Sequence, residues 1–565
     1  MRKLAGLLAF FLILNTGYPV SGQDNNDIAR LKQQISVFGQ AEVTVKYPGY
    51  SGASILSRMF SVDHNKEGKL YIILSATTID QFLALGLEFS LVPSPVMEGV
   101  KGAADLTKAM DWQSYPKYSQ YDSIMRKLAT DFPDLCQLDT IGSSINGKQV
   151  LVVKISDNVA LNEPDEPEVF YSSTIHGDEL LGFVLMLRLS DHLLRNYHTD
   201  PQIKSLVDNL QIYINPLSNP DGTYRTGDEI INPIRFNANG RDLNRNFPDP
   251  LQPGVVQEKE NVDMIAFMRS RKFVLSANFH SGAEVVNYPW DRWLTKIHAD
   301  DSWFEDLCRA YADTVHIYSR DNYMDGFDNG IVRGAVWYEI LGGRQDFVTW
   351  ELQGREVTIE LDDTKLTPAD SLENMWNYNY RSLLNYLSYA QYGINGNVTD
   401  SETGNPVRAT IYIEGHDKDN SQINSDSGSG NYTRLLSGGT WDLTFSATGY
   451  RDTILAGQVL VSGEPLLLDV EMTPLPPRSH QTELLIFPNP SSGQMELLLP
   501  EWFEGEVFIE VFSSTGMKMM SKTMSYTPWL KLPIDLSHLA AGVYIISAQT
   551  ASGGLSVSSR ALIIR

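Results

Sequence analysis

Cysteine is nearly absent: Cys136 and Cys308 are the only two in 565 residues. At most one disulfide can form. The two lie in different expected elements, so a pair of buried free thiols is the simpler reading, although a bridge is open to an exported chain. Long hydrophobic runs are missing as well. The one apolar stretch near the start, Leu4–Leu14, is too short for a convincing membrane span, and no later segment is long enough. Positive charge is in deficit, with 45 Lys and Arg against 69 Asp and Glu, a net charge of −24 and a pI of about 4.8. That balance argues against nucleic acid or an anionic membrane as the main partner. No long repeat or low-complexity tract occurs.

What is present is enough for several cores. A chain of 565 residues that is 42% apolar should fold as three or four domains. Arg2 and Lys3, then Leu4–Leu14, then the small residues Val20-Ser21-Gly22 give residues 1–22 the form of a secretion signal. Residues 23–105 read as a small α+β unit, either a propeptide or a domain that stays attached. Arg126-Lys127 lies in an amphipathic helix and is a poor processing site. Residues 106–392 alternate apolar strands (149–155, 169–173, 211–215, 273–279, 356–361) with amphipathic helices (118–130, 180–197, 258–271, 302–315, 371–389). That pattern implies an α/β/α domain with a mixed, largely buried sheet. In 393–475 the helical period disappears, and short alternating strands suggest a β-sandwich. Residues 476–482 read as a linker, and 483–565 as a second small all-β module.

The chemistry gathers around Phe170–Leu180. A short apolar strand empties into His176-Gly177-Asp178-Glu179, and a helical pattern follows at once. His176 and Glu179, three apart at an expected helix start, can face one point. An imidazole and a carboxylate so placed suit zinc, which needs a third ligand and an open position to be catalytic. His280, at the end of the 273–279 strand, is the candidate. Between and after these come Asn219-Pro220-Asp221-Gly222, Arg235, Asp242-Leu243-Asn244-Arg245-Asn246-Phe247, Asn287-Tyr288-Pro289-Trp290-Asp291, Trp337-Tyr338, and Glu360 on an apolar strand.

In this order and spacing, residues 112–475 resemble the zinc metallocarboxypeptidases, in particular the regulatory branch of N, E and D types. The wording Asp-Leu-Asn-Arg-Asn-Phe-Pro-Asp at 242–249, followed by a β-sandwich of transthyretin-like kind, points to that branch. The resemblance implies one zinc per chain on His176, Glu179 and His280. It implies that Asp242 orients His176, that Arg235 stabilises an oxyanion, and that Asn244, Arg245 and Tyr338 hold the substrate's terminal carboxylate. Glu360 would be the general base. Asp291 and Gln345 would line a pocket for a basic C-terminal side chain, making peptide or protein C-termini ending in Arg or Lys the expected substrates. Arg344 departs from the family's Gly-Gly-Met and is expected to point out of the pocket. Ser281 stands where the family often has Gly.

Residues 483–565 resemble the sorting domain of type IX secretion, through Phe487-Pro488-Asn489-Pro490, Phe512–Gly516, Leu539–Tyr544 and the closing Arg565. The implied partner is the secretion machinery, and the implied address is outside the cell or on its outer surface. Bland readings exist for single residues: His280 as a hydrogen-bonded core residue, Glu360 in a structural ion pair, Tyr338 as packing, and Asp291 as a helix cap. Two rival functions remain open. One is a carboxypeptidase of peptidoglycan stem peptides; the other is a non-catalytic binding protein on the same scaffold.

Overall fold

The computed structural model describes residues 25–564 except 95–96, 251, 253, 476–482, 501, 528–529 and 552–555. The expected secretion signal, the 476–482 linker and Arg565 lie outside the described residues. Contacts divide the chain into two units, Met1–Pro474 and Leu475–Arg565.

The first unit is built on an eight-stranded mixed sheet. Its strands are β1 (Cys136–Ser143), β2 (Gln149–Ile155), β3 (Glu168–Ser173), β4 (Gln211–Asn215), β5 (Phe273–His280), β6 (Ala283–Tyr288), β7 (Ile331–Arg333) and β8 (Arg355–Asp362). They lie in the order β7-β6-β8-β5-β3-β4-β2-β1. The central four, β8-β5-β3-β4, are parallel, and antiparallel pairings flank them at β6 and β2. Alternation along β3 shows why its sequence is apolar throughout. Val169 and Tyr171 enter a core with helices Tyr118–Asp131, Leu181–Asn196, Asp301–Tyr318 and Leu372–Ser388. Phe170 enters a second core with helices Lys259–Arg269 and Arg344–Glu351. A strand covered on both faces needs apolar residues at successive positions. This is the α/β/α arrangement expected from the alternating pattern.

Ahead of it, four antiparallel strands in the order Ser61–Lys66, Lys69–Ser75, Gln40–Lys46, Phe89–Leu91 form a small sheet with helices Asn25–Phe38, Gly49–Ser57 and Ile79–Ala84. Ala103, Ala109, Trp112 and Tyr115 pack into the main core, not into this domain. After the main domain, strands between Gly393 and Met472 form two sheets around one core. The second unit is likewise two small sheets, of three and four strands, around its own core. Cys136 and Cys308 are both free and buried. Among the described residues no helix is long and apolar enough to cross a membrane.

A buried charge cluster joins the sandwich to the main domain. The Asp300 carboxylate accepts from Arg434 at 2.7 and 2.9 Å, from Arg355 at 2.6 Å and from His416 at 2.8 Å. Asp300, Arg355 and Arg434 are all nearly inaccessible to solvent. Removing the carboxylate leaves buried Arg355 without an anionic partner and Arg434 with Asp417 alone, a loss of the kind that costs about 3–5 kcal/mol. Asp300→Ala should therefore lower the stability of the first unit by about that much in denaturant unfolding. An unchanged midpoint would refute the account.

Candidate metal centre

The centre lies at the carboxyl ends of the parallel strands, where open α/β sheets place their sites. His280 ends β5. His176 and Glu179 follow β3, in a turn closed by the Glu179 N–H bonding the His176 carbonyl at 3.2 Å. The helix begins only at Leu181, so the two residues sit in the turn before it, not on its first turn. The cause lies beneath. Gly177 rests on the backbone of Gly222, so close that a Cβ there would come within 2.3 Å of the Gly222 carbonyl carbon. Asn219 caps the short helix Pro220–Thr223, its side chain accepting from the Gly222 N–H at 3.0 Å. It also donates to the carbonyls of Ile175 at 3.2 Å and Arg235 at 3.3 Å. The Asn-Pro-Asp-Gly turn thus braces the His-Gly-Asp-Glu turn.

Three donor atoms converge. Nδ1 of His176 and Nδ1 of His280 each lie 2.7 Å from an oxygen of Glu179, and 3.1 Å from each other. All three residues are buried. The outer nitrogens are held in turn: Nε2 of His176 lies 3.1 Å from Asp242, and Nε2 of His280 lies 2.7 Å from the side-chain amide of Asn278. A carboxylate is what a ring N–H needs, so Asp242 fixes Nδ1 of His176 as its free, ligating atom. Two imidazoles and one carboxylate facing one point fit a zinc ion, and His176, Glu179 and His280 would hold it.

The surrounding charges are arranged to keep these groups ionised or poised. Burial alone would raise Asp242, but Arg235 and His176 beside it hold its carboxyl well below the usual range. Nε of Arg235 lies 2.9 Å from Asp242, and its Nη1 lies 3.3 Å from Glu179. Glu360 on β8 is the register partner of His280 on β5, which places the two about 4.8 Å apart along the sheet. Burial, and then the charges of Glu179 and Asp63, raise the Glu360 carboxyl well above its ordinary value.

A pocket opens beside the metal ligands. Asp291 follows β6 and is buried. Its Oδ1 accepts from Asn287 at 2.9 Å and from Gln345 at 3.1 Å, and its backbone N–H is taken by Asp346. Burial, offset in part by the Asn287 hydrogen bond and Arg245, pushes its carboxyl up to about 6. No helix starts there, so a capping role does not apply. Gly334 reaches so close to Asp291 that any Cβ would collide with the carboxylate. Asn244 gives its amide oxygen to the N–H of Arg344 at 2.9 Å. Arg245 sends Nη1 to the Asn244 carbonyl at 3.0 Å. Tyr338 lines the same cleft.

Arg344 points out of the pocket, as expected, but it turns into the core and not towards solvent. It is fully buried, paired with Glu356 at 3.0 Å, bonded to Ser172 and lying 4.9 Å from the Phe170 ring. Its side chain runs into the core away from the pocket, because Glu356 supplies a buried counter-charge that the sequence pattern did not connect to it. Ser281, in the glycine position, lends its N–H to Glu179 at 3.3 Å. Sequence reasoning gave Asn278 no role. It stands two residues before His280 on one strand face, and that period of two is the signal that marks it. Asn287 and Lys365 carry no such mark.

Comparison with known proteins agrees with this geometry. Residues 121–382 match the model of the zinc carboxypeptidase family, and 485–565 match that of a secretion system C-terminal sorting domain. The catalytic chain of carboxypeptidase N from Rattus norvegicus is 34% identical over 401 residues, covering 63% of this chain and 86% of that protein. Carboxypeptidase D from Homo sapiens is 31% identical over 443 residues, covering 74% of this chain but 31% of that longer protein. The chain spans about a quarter to a third of the length of the carboxypeptidase D relatives it matches. Carboxypeptidase A from Helicoverpa armigera superimposes with a TM-score of 0.49 at 17% identity, over 62% of this chain and 97% of that one. Extended identity to a relative matched over most of its length, together with the family model over the core, establishes that this chain belongs to the zinc carboxypeptidase family.

Proposed function

We infer that the protein is a secreted zinc-dependent carboxypeptidase that releases C-terminal Arg or Lys from peptides and proteins. One observation carries this reading: a cation able to grip a carboxylate, Arg245, and a buried carboxylate able to grip a cation, Asp291, share one cleft with the metal ligands. A peptide ending in Arg or Lys offers both complementary charges a side chain apart. Arg245 recognises the terminal carboxylate through its planar fork, with Asn244 and Tyr338 beside it. Asp291, steadied by Asn287 and Gln345, makes the pocket selective, since a basic head buried without a partner is costly.

Zinc held by His176, Glu179 and His280 would supply Lewis acidity and could lower the pKa of a bound water towards about 7. Glu360 takes the proton from the attacking water and delivers it to the leaving amine. Arg235 faces the developing oxyanion and offsets its charge in a site largely closed to solvent. Asp242 and Asn278 keep the two imidazoles turned inward. The presence of all three ligands together with Glu360 weighs against a non-catalytic scaffold. The sandwich at 393–475 is read as transthyretin-like. The C-terminal module is read as the type IX export signal, which puts the enzyme outside the cell or on its outer surface.

The purified chain should contain one zinc per molecule by metal analysis. Before and after limited proteolysis it should be tested on dansyl-Phe-Ala-Arg, on peptides that differ only in the last residue, and on muropeptides. Chelator-sensitive release of terminal Arg and Lys is expected. Cleavage of muropeptides alone would favour the peptidoglycan reading. Asp291→Ala should lower the preference for Arg over Leu by about 100-fold in kcat/KM, the scale of an unpaired buried charge. A variant with intact preference would sink the assigned pocket.

The Arg/Leu ratio should also depend on pH. Asp291 carries its charge above about 6, so the basic preference is present at pH 8 and lost as pH falls through that value. Because kcat/KM reports the free enzyme, the ratio of the two substrates between pH 5 and 8 isolates this group from the shared chemistry. A flat ratio contradicts the assignment.

A further inference from the structure

The opposite edge of the main sheet carries a second polar cleft. Phe273 opens β5 and His280 closes it, so at about 3.3 Å per residue the two ends lie about 23 Å apart. At the Phe273 end, the main domain and the β-sandwich enclose a cavity of about 420 Å³, within the range that small ligands occupy. Four cations line it. Arg269, Arg271 and Lys272 come from the end of helix Lys259–Arg269 and the turn into β5, and Arg408 comes from the sandwich. Against them stand two carboxylates, Glu351 and Asp426. In a chain of net charge −24, a positive surplus gathered in one cleft is a local feature that the total does not explain.

These cations are unequally paired. Arg269 is taken by Glu351 at 2.8 Å. Arg271 lies 4.0 Å from Glu168 and stacks over the Tyr213 ring, 5.2 Å from its centre. Lys272 and Arg408 have no ion-pair partner among the described residues. Nζ of Lys272 donates to an uncharged group, the Asn431 carbonyl, at 2.6 Å. Burial pushes its ammonium down to about 8, although Asp426 and Glu168 pull the other way. Asp426 is itself occupied, its Oδ1 accepting from the N–H groups of Gly428 and Ser429 at 2.8 and 2.9 Å. The walls are held at a fixed spacing. Asn424 of the sandwich donates to Gln353 at 2.6 Å, and Arg355 donates to the Ser421 carbonyl at 3.0 Å. The cleft is therefore formed before a ligand arrives, which removes the cost of ordering it.

We propose that this cleft binds a phosphate monoester, with Lys272 and Arg408 meeting the phosphate from the two domains and Arg271 beside them. Two cations without an anionic partner match a group of two negative charges. A phosphate monoester carries nearly that charge at neutral pH; a single carboxylate does not. The planar fork of an arginine fits two oxygens of a phosphate, and the lysine adds a compact charge. Because its contacts come from both the main domain and the sandwich, the ligand ties the two together. None of this depends on the reaction at the metal centre.

The test uses the full chain in three forms: wild type, Arg408→Glu and Lys272→Ala. Glycerol 3-phosphate and acetate are titrated by calorimetry in physiological salt, and thermal melting is followed with each. The wild type should bind glycerol 3-phosphate saturably, with a Kd below about 1 mM, and melt at a higher temperature in its presence. Acetate should bind at least about tenfold more weakly. Each substitution should weaken glycerol 3-phosphate by about tenfold or more, the scale of a charged hydrogen bond. Arg408 is exposed and unpaired, so its reversal leaves the fold intact. If Lys272→Ala fails to fold, the Arg408→Glu result decides. The metal cleft also carries cations, so phosphate binding that survives Arg408→Glu belongs there and overturns the proposal. No binding by the wild type, or equal affinity for acetate, overturns it as well.

Discussion

The arrangement depends on holding several carboxylates together in one poorly hydrated cleft. Glu179, Asp242, Glu360 and Asp63 lie within mutual reach, and each costs free energy to bury ionised. Arg235 is the group that makes this possible. Its guanidinium touches Asp242, Glu179 and Asp63 at once, and its own protonation is driven further up by those charges. With Asp242 ionised, it can accept from Nε2 of His176 and turn Nδ1 inward. With Glu179 ionised, both imidazoles have an anionic partner beside them. A metal dication adds the remaining positive charge. Removing the guanidinium would leave Asp242 protonated or displaced, and the metal turn would lose the support that orients it.

The sheet supplies the geometry that side chains alone could not. Parallel pairing of β8 with β5 sets Glu360 beside His280, and parallel pairing of β5 with β3 sets the turn after Ser173 at the same edge. Side chains from residues almost two hundred positions apart therefore meet without long connections. The turns at that edge need close backbone contact, which is why glycine occurs at 177, 222 and 334. Each is a position where a Cβ would strike another backbone or the Asp291 carboxylate.

Much of this was legible in the sequence, and the reasons differ by element. The central strands announce themselves because burial on both faces writes continuous apolar runs. The marginal strands do not. Cys136–Ser143 buries only one of its residues, and Ile331–Arg333 is only three residues long. Strand Ser61–Lys66, Ser-Val-Asp-His-Asn-Lys, has too little apolar character to register as a strand at all. Its polarity is a consequence of where it lies, against Arg235, Arg245 and Lys365. The His-x-x-Glu and the later His were readable because metal chemistry restricts residue types. The burial of Arg344 was not, since it depends on Glu356 twelve residues later, across a turn. The helix after Glu179 begins within one residue of where its hydrophobic periodicity does, with Leu180 as its cap.

The same logic connects recognition to restraint. An exopeptidase cleft must present unsatisfied cations, because a terminal carboxylate is what distinguishes a chain end from the middle of a chain. Arg235 is buried among three carboxylates, Arg245 is half-buried, and Lys365 pairs with Asp63. Something anionic or carbonyl-rich will be drawn to them. Bulk water cannot serve a site this enclosed as well as a fixed oxygen can. Strand Ser61–Lys66 of the preceding domain brings one carboxylate, one hydroxyl and one backbone carbonyl to these cations. Asp291 is left with neutral partners, its carboxyl raised for want of a cation. On the proposed reading, the cleft's cations already have partners while Asp291 keeps only neutral ones. A substrate carrying both charges, as the proposed function requires, would meet its second partner in Asp291, whose Oδ1 is held by the main domain's own Asn287 and Gln345.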